Sequence, residues 1–388
     1  MGLVHYRVVV VGAGPAGTSA AMTLASHHID VCLIDKSLFP REKLCGGLLT
    51  LRSRRRYEQI FGDGWEDLVV TEAHGVRFFD RNNFLSEVKD YSTLYFTQRS
   101  LFDHALLKKA TASGAEALLG SAVEDIDFAK RELSLKNGDR IGYDYLIGAD
   151  GVRSLVAKRL YGRSYDPEKI GFALECEVPL SEDVARVERP EIYFNLIEWG
   201  YGWVFPKKES LTVGIGGLYS RNKDMREKFD HFLRQRFGIL PPCRVKGYHI
   251  PFGAYRKRVS HGNVLLCGDA AGLVETITGE GIAFAMESGY DAARCIVAKL
   301  EDPMLNIEST CARSRRKIIS ILRISNLLRY LLFTRPANRL FVRALSRSKS
   351  IGKRHLDLMA DEIGYAQYLK IIMKKIVSKP FTFLRFKS

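Results

Sequence analysis

The chain of 388 residues contains no run of about 18 uninterrupted apolar residues, so no membrane-spanning helix is expected. It has no internal repeat and no low-complexity linker. Its seven cysteines (Cys32, Cys45, Cys176, Cys243, Cys267, Cys295 and Cys311) are odd in number and include no C-x-x-C pair. Neither a disulfide framework nor a metal site is written in that pattern, and a reducing cytoplasm is the expected setting. The start lacks a basic stretch followed by a cleavable apolar one. Val8–Val11 instead leads into a glycine pattern and reads as a strand rather than a signal.

Acidic residues are scarce in one place only. Residues 313–388 hold 19 Lys and Arg against 3 Asp and Glu; residues 1–312 hold 40 and 41, out of 59 and 44 overall. The formal charge of +15 therefore belongs to the C-terminal segment, which argues against nucleic-acid binding by the whole protein. With 46% hydrophobic and 27% charged residues, the chain is neither disordered nor collagen-like.

The first 35 residues carry the strongest local signal. Arg7–Val11 is a β-branched run, Gly12-Ala13-Gly14-Pro15-Ala16-Gly17 follows at once, and Thr18–Ser26 is rich in alanine. Val31–Ile34 is a second strand, closed by Asp35. A glycine turn between strand and helix is the context that a dinucleotide fingerprint needs. Gly12 permits the tight turn, Gly14 admits a pyrophosphate, and Gly17 brings helix and strand together. The helix start offers unpaired N–H groups to phosphates. Asp35, with Lys36 beside it, is placed to accept hydrogen bonds from a ribose. Further on, the patterning predicts a hairpin over 76–97, a helix over 99–113 and a strand over 143–149. Residues 170–258 read as mostly β, then Val264–Cys267 as a strand and about 280–298 as a helix. From 303 onward the pattern is helical and basic.

Two later segments end strands with short polar pairs: Leu146-Ile147-Gly148-Ala149-Asp150-Gly151 and Val264-Leu265-Leu266-Cys267-Gly268-Asp269-Ala270-Ala271-Gly272. With the N-terminal fingerprint, their order and spacing resemble the FAD-dependent oxidoreductases of the p-hydroxybenzoate hydroxylase type. That resemblance implies an α/β fold, in which a Rossmann-like FAD-binding domain is interleaved with a β-sheet substrate domain and followed by a C-terminal helical basic segment. The implied division is 1–75, 98–169 and 259–300 for FAD, 76–97 and 170–258 for substrate, and 301–388 for the basic segment. It further implies that Asp269, after Gly268, binds the ribityl chain, that Asp150 lies near the pyrophosphate, and that Arg99 contacts FAD. Ala16 is counted with the cofactor contacts.

Three more segments are similar to the geranylgeranyl reductase family: Phe39-Pro40-Arg41-Glu42-Lys43-Leu44-Cys45-Gly46-Gly47, Tyr201-Gly202-Trp203-Val204-Phe205-Pro206 and Thr278-Gly279-Glu280-Gly281-Ile282. The resemblance implies saturation of prenyl double bonds by hydride from reduced FAD, with NADPH or another external donor. Gly279, Gly281 and Ile282 would then lie against the flavin pyrimidine edge. Gly46 and Gly47 would let the backbone pass its ring, with Cys45 at the reacting face. An unactivated alkene also needs a proton at its second carbon. Cys45 is one candidate donor, directly or through water, and a small buried apolar residue is the other reading. Glu280 either caps the following helix or lines the site. Tyr201, Trp203 and Phe205 alternate along a strand and share one face; they line a prenyl tunnel or form ordinary sheet core.

Arg313, Arg316, Ser320 and Arg323 fall on one helix face, with Ile318, Ile321, Leu322 and Ser325 roughly opposite. A second cluster is Lys370, Lys374 and Lys375, followed by Lys379-Pro380-Phe381-Thr382-Phe383-Leu384-Arg385-Phe386-Lys387. These predict a peripheral anchor on anionic lipid or a solvated helical cap over the substrate domain. The alternative activity is a flavin monooxygenase or halogenase on an aromatic or lipid substrate. Halogenases carry W-x-W-x-I-P where this chain has Tyr201, Trp203 and Phe205, which counts against halogenation. A lipid-binding flavoprotein without turnover is the non-enzymatic alternative.

Overall fold

A computed structural model describes residues 4–378; the Lys379–Lys387 cluster lies outside the described residues. Two eight-stranded sheets organise the chain. In the first, Val264–Leu266, Arg140–Gly148, Val4–Val11, Val31–Asp35 and Glu116–Leu119 run parallel in that order. Their β-branched runs are buried on both faces, as a parallel sheet covered by helices requires. Helix Pro15–Ala25 is almost wholly buried between this sheet and helix Ile282–Glu301, and its alanines allow that approach.

The second sheet has the order Lys246–Ile250, Gly171–Pro179, Ser210–Leu218, Gly200–Pro206, Glu191–Phe194, Thr71–Asp80, Asn83–Phe96, Leu48–Leu49. It is antiparallel except where Glu191–Phe194 pairs with Thr71–Asp80. The expected hairpin is present and starts earlier, at Thr71. Helix Met225–Phe237 interrupts the stretch read as mostly β. Its Phe229, Phe232 and Leu233, at helical spacing, are fully buried against the outer face of the sheet. Helices Leu51–Phe61 and Leu155–Tyr161 had no strong apolar period to announce them; Thr50 caps the first and Ser154 the second.

The C-terminal helices Arg316–Phe333, Arg335–Arg347, Lys349–Met359 and Tyr365–Ser378 cover the other face of the second sheet. Leu328, Leu332, Phe341, Leu345, Leu356 and Met359 share one core cluster with Phe78, Phe96, Phe194, Trp203 and Phe205. Arg313, Arg316, Ser320 and Arg323 are exposed, while Ile318, Leu322 and Ser325 are buried. The segment is thus a helical cap with a cationic outer face. No helix among the described residues is long and apolar enough to cross a membrane.

Candidate active site

The glycine turn is dictated by near neighbours. Gly12 has φ +104°, and a Cβ there would stand 2.4 Å from the Ala149 carbonyl oxygen. At Gly17 a Cβ would collide with the Gly12 carbonyl at 1.7 Å. Gly14 is different: a Cβ there would meet only Arg41 Nη2, at 3.5 Å, so the turn opens onto space at this point. Asp35 braces the turn, accepting from Ala13 N at 2.8 Å and from Ser37 N at 2.8 Å. Lys36 beside it is exposed. Ala16 is buried under Gly268 and Gly289.

Polar groups converge on this opening. Asp150 accepts from Leu155 N through Oδ2, while its buried Oδ1 has no partner among the described residues. Burial raises its pKa. Arg99 forms a two-pronged pair with the fully buried Asp103, at 2.7 and 2.8 Å, and Arg41 shares that carboxylate at 3.1 Å. The Nε of Arg41 is buried without a partner among the described residues. Asp269 has its pKa raised by burial, against the pull of Lys43 and Arg99. Burial pushes Lys43 down to about 8 despite Asp269. An opening at Gly14, orphaned polar atoms at Asp150 and Arg41, and cations beside Asp269 fit a large polyanionic nucleotide such as FAD. Arg41 and Lys43 lie within the Phe39–Gly47 motif without an expected role; their placement comes from the folding back of residues 39–47.

The Thr278–Ile282 loop adjoins the same crevice. A Cβ at Gly281 would lie 3.8 Å from Asp269 Oδ1, and one at Gly279 would lie 3.3 Å from the Tyr201 hydroxyl. Fully buried Glu275 shapes the loop, accepting from Ile277 N, Thr278 N and Thr278 Oγ1 at 2.7–2.8 Å. The first-turn N–H groups of helix Ile282–Glu301 have no intrahelical acceptor. Glu280 does not cap that helix, whose N-cap is Gly281. Its carboxylate instead accepts from Thr50 Oγ1 at 2.5 Å and lies 3.6 Å from Arg52. Burial pushes it up to about 7, against the pull of Arg52.

Tyr201, Trp203 and Phe205 do form one stripe, with successive ring centroids 5.9 and 6.2 Å apart. The Tyr201 hydroxyl donates to the Thr278 carbonyl. At the other end, a Cβ on Gly46 would press on the Phe205 ring at 2.9 Å and sit 3.3 Å from Trp203 Nε1. The stripe therefore joins both loops. The need for Gly46 has a cause inside the protein: the loop lies directly on the aromatic rings.

Two buried charged side chains, Glu175 and Lys207, hold that loop in place. Glu175 Oε1 accepts from Cys45 N at 3.1 Å, and Oε2 has no partner among the described residues. Lys207 Nζ donates to the carbonyls of Gly46 at 2.9 Å and Thr97 at 2.7 Å. Burial, reinforced by Glu177, pushes Glu175 up to about 7 although Lys207 pulls it down. Cys45 is half-buried, with Gly47 N 3.4 Å from its sulfur. Sequence reasoning missed Glu175 and Lys207, since a charged residue in or beside a strand reads as solvent-facing.

Beyond Tyr201 lies a mainly apolar cavity walled by Ile192, Phe194, Ile277, Leu332, Phe333 and Met359, with Thr278 and His355 as its polar members. Its volume is about 20 Å³, room for about one water molecule.

Residues 6–173 match the pyridine nucleotide-disulphide oxidoreductase family model. The chain is 30% identical to a menaquinone reductase of Mycolicibacterium smegmatis, over 75% of this chain and 76% of that one. It is 27% identical to a digeranylgeranylglycerophospholipid reductase of Methanosarcina acetivorans, over 78% of each. A solved structure from Thermoplasma acidophilum, described as geranylgeranyl bacteriochlorophyll reductase-like, superposes with a TM-score of 0.68 at 22% identity, covering 98% of both chains. Structures of a flavin-dependent brominase and a probable FAD-dependent monooxygenase share the fold as well.

Proposed function

The chain belongs to the geranylgeranyl reductase family of FAD-dependent oxidoreductases, and we propose that it saturates double bonds of a prenyl chain on a lipid, quinone or pigment precursor. The observation that carries this reading is the aromatic stripe Phe205–Tyr201 with, beyond Tyr201, the mainly apolar cavity at Ile277 and Phe333, beside the Thr278–Ile282 loop. Such a wall holds a hydrocarbon by area burial, at about 25 cal/mol per Å². A small phenol would call for a few fixed polar groups instead.

In this reading residues 1–75, 98–169 and 259–300 hold FAD, 76–97 and 170–258 hold substrate, and the helices after 301 close over it. Gly12, Gly14 and Gly17, with Arg41, take the pyrophosphate. Asp35 takes the ribose, and Asp269, with Lys43 and Arg99 near it, takes the ribityl chain. When bound and reduced, FAD supplies a hydride, and NADPH or another external reductant supplies the electrons. The N–H groups around Gly279, Gly281 and Ile282 would stabilise negative charge at the pyrimidine edge. Tyr201, Trp203 and Phe205 keep water from the alkene. Glu175, which titrates near neutral pH and accepts from the Cys45 backbone, is the store for the proton that the second carbon takes up, passed on through water or through the Cys45 thiol. The cationic face of the terminal helices rests on an anionic membrane surface at the cytoplasmic side.

The deciding experiment is anaerobic. Enzyme reduced beforehand and mixed with a geranylgeranyl lipid is expected to return oxidised flavin and a product heavier by two hydrogens per bond. Flavin that stays reduced, with no saturated product by mass spectrometry, would refute the assignment. Product that forms only when oxygen is admitted would establish a monooxygenase instead.

A further inference from the structure

On the helix Arg316–Phe333, away from the aromatic stripe, lies a groove of about 660 Å³ between residues 256–260 and the helices Ile307–Ser314 and Arg316–Phe333. That size suits a small-molecule group rather than a single ion. Six cations line it: Arg256, Lys257, Arg258, Arg315, Arg316 and Arg323. The one lining carboxylate, Glu308, is already taken by Arg258 at 2.9 and 3.0 Å.

These cations are held in two ways. Arg256 donates to the Ala270 carbonyl, and Arg315 donates from Nη2 to the Leu266 carbonyl, so both are anchored on the segment that carries Gly268 and Asp269. Arg315 is 2% exposed, and its Nε and Nη1 are buried without a partner among the described residues. Lys257, Arg316 and Arg323 are exposed and make no ion pair among the described residues. Gathering so many like charges with a single counter-charge is unfavourable for the empty fold. A ligand with a phosphate's charge and acceptor geometry would offset it, since guanidinium groups match phosphate oxygens in pairs.

The exposed face of the same helix says what the phosphate is attached to. Arg316, Ser320, Arg323, Leu327 and Tyr330 follow one another at helical spacing on a single stripe. Leu327 is 64% exposed and Tyr330 50%. The cationic end of the stripe passes directly into an apolar end, and Leu332 and Phe333 of the same helix wall the apolar cavity. A soluble phosphate compound would gain nothing from Leu327 and Tyr330, whereas a lipid presents anionic headgroup and hydrocarbon in that order.

We infer that this groove is a headgroup site for a phosphate-bearing membrane lipid, which seats the helix Arg316–Phe333 on the bilayer with Leu327 and Tyr330 at the headgroup–acyl boundary. This rests on the membrane-surface part of the proposed function and is independent of the prenyl chemistry. The test therefore uses vesicles without prenyl lipid and needs no turnover.

Full-length protein is floated with vesicles of phosphatidylcholine alone or mixed with phosphatidylglycerol. Wild type is expected to bind the mixed vesicles and not the neutral ones. R316E/R323E is expected to lower the partition coefficient by about tenfold or more, and L327S/Y330S by about threefold. All four positions are partly or fully exposed, so folding is checked by retained flavin colour and melting temperature. K130E/K136E, with the same change in charge at the hairpin of strands Val123–Asp127 and Glu132–Leu135, outside the groove lining, is expected to bind as wild type does. Equal loss in K130E/K136E would overturn the site in favour of overall charge. Unchanged binding by R316E/R323E would overturn it outright. Tight calorimetric binding of inorganic pyrophosphate, with no preference for charged vesicles, would make the groove a soluble-anion site and overturn the lipid assignment.

Discussion

The nucleotide crevice and the loop over the aromatic stripe are built by opposite means. At the crevice the backbone does most of the shaping: Gly12 and Gly17 are excluded from any other identity by carbonyls a few ångströms away, and Asp35 ties the turn to its own strand. The Cys45–Gly47 loop has no such local frame. It is pinned by side chains far away in sequence, Glu175 on its strand and Lys207 just after another, and by the rings of Trp203 and Phe205. The first arrangement is fixed by backbone sterics at its turn. The second contains a carboxyl held near neutrality, so it can change protonation during turnover.

Substitutions should separate these two designs. Gly12→Val forces a β-branched residue into φ +104° against the Ala149 carbonyl, costing about 1–3 kcal/mol for the backbone alone. Purified G12V should be colourless, with FAD affinity by fluorescence titration down at least about a hundredfold. Glu175→Gln keeps shape and removes the titrating proton. It should retain full flavin content while kcat falls about a hundredfold with KM little changed. In wild type, kcat should decline as pH rises past about 7, and E175Q should lack that limb. Yellow E175Q with wild-type turnover would show that the proton comes from elsewhere.

Lys207→Met leaves the Gly46 and Thr97 carbonyls without their donor, at a cost of about 2 kcal/mol measurable by thermal denaturation. Because Lys207 pulls Glu175 down, the kinetic inflection should also move to higher pH in K207M. The smallest effect concerns stability. Glu175 and Glu280 both titrate near 7 when folded and near their ordinary 4.5 when unfolded. Between those values the folded state binds more protons, so stability should fall as pH rises from about 4.5 to about 7. Each group contributes at most about 1.4 kcal/mol per pH unit. Urea midpoints across this window should vary less steeply in E280Q.

The same contrast explains what could be read from the chain alone. The Gly12–Gly17 turn, Asp35, the Gly268-Asp269 pair and the Tyr201–Phe205 alternation are local patterns, so order and spacing disclosed them. Glu175 was illegible because nothing local says that residues 39–47 fold down over its strand. Arg41 and Lys43 were legible as part of a family pattern but not as groups aimed at the crevice. Glu275 could have been noticed as an acid beside an otherwise apolar run, yet its three bonds to the following loop are a matter of folded geometry. Helix Met225–Phe237 was available in the spacing of Phe229, Phe232 and Leu233 and was hidden by the strands on either side.

A slot with room for one water is not the shape in which this protein can hold a long hydrocarbon. On the proposed reading Leu332, Phe333 and Met359 make way for the chain, and they belong to the C-terminal helices Arg316–Phe333 and Lys349–Met359. Choice among guests then turns on which of them can prise this seam apart, rather than on a standing mould. Protease cutting within residues 316–359 should quicken when a prenyl lipid is present and stay constant with a short-chain alcohol.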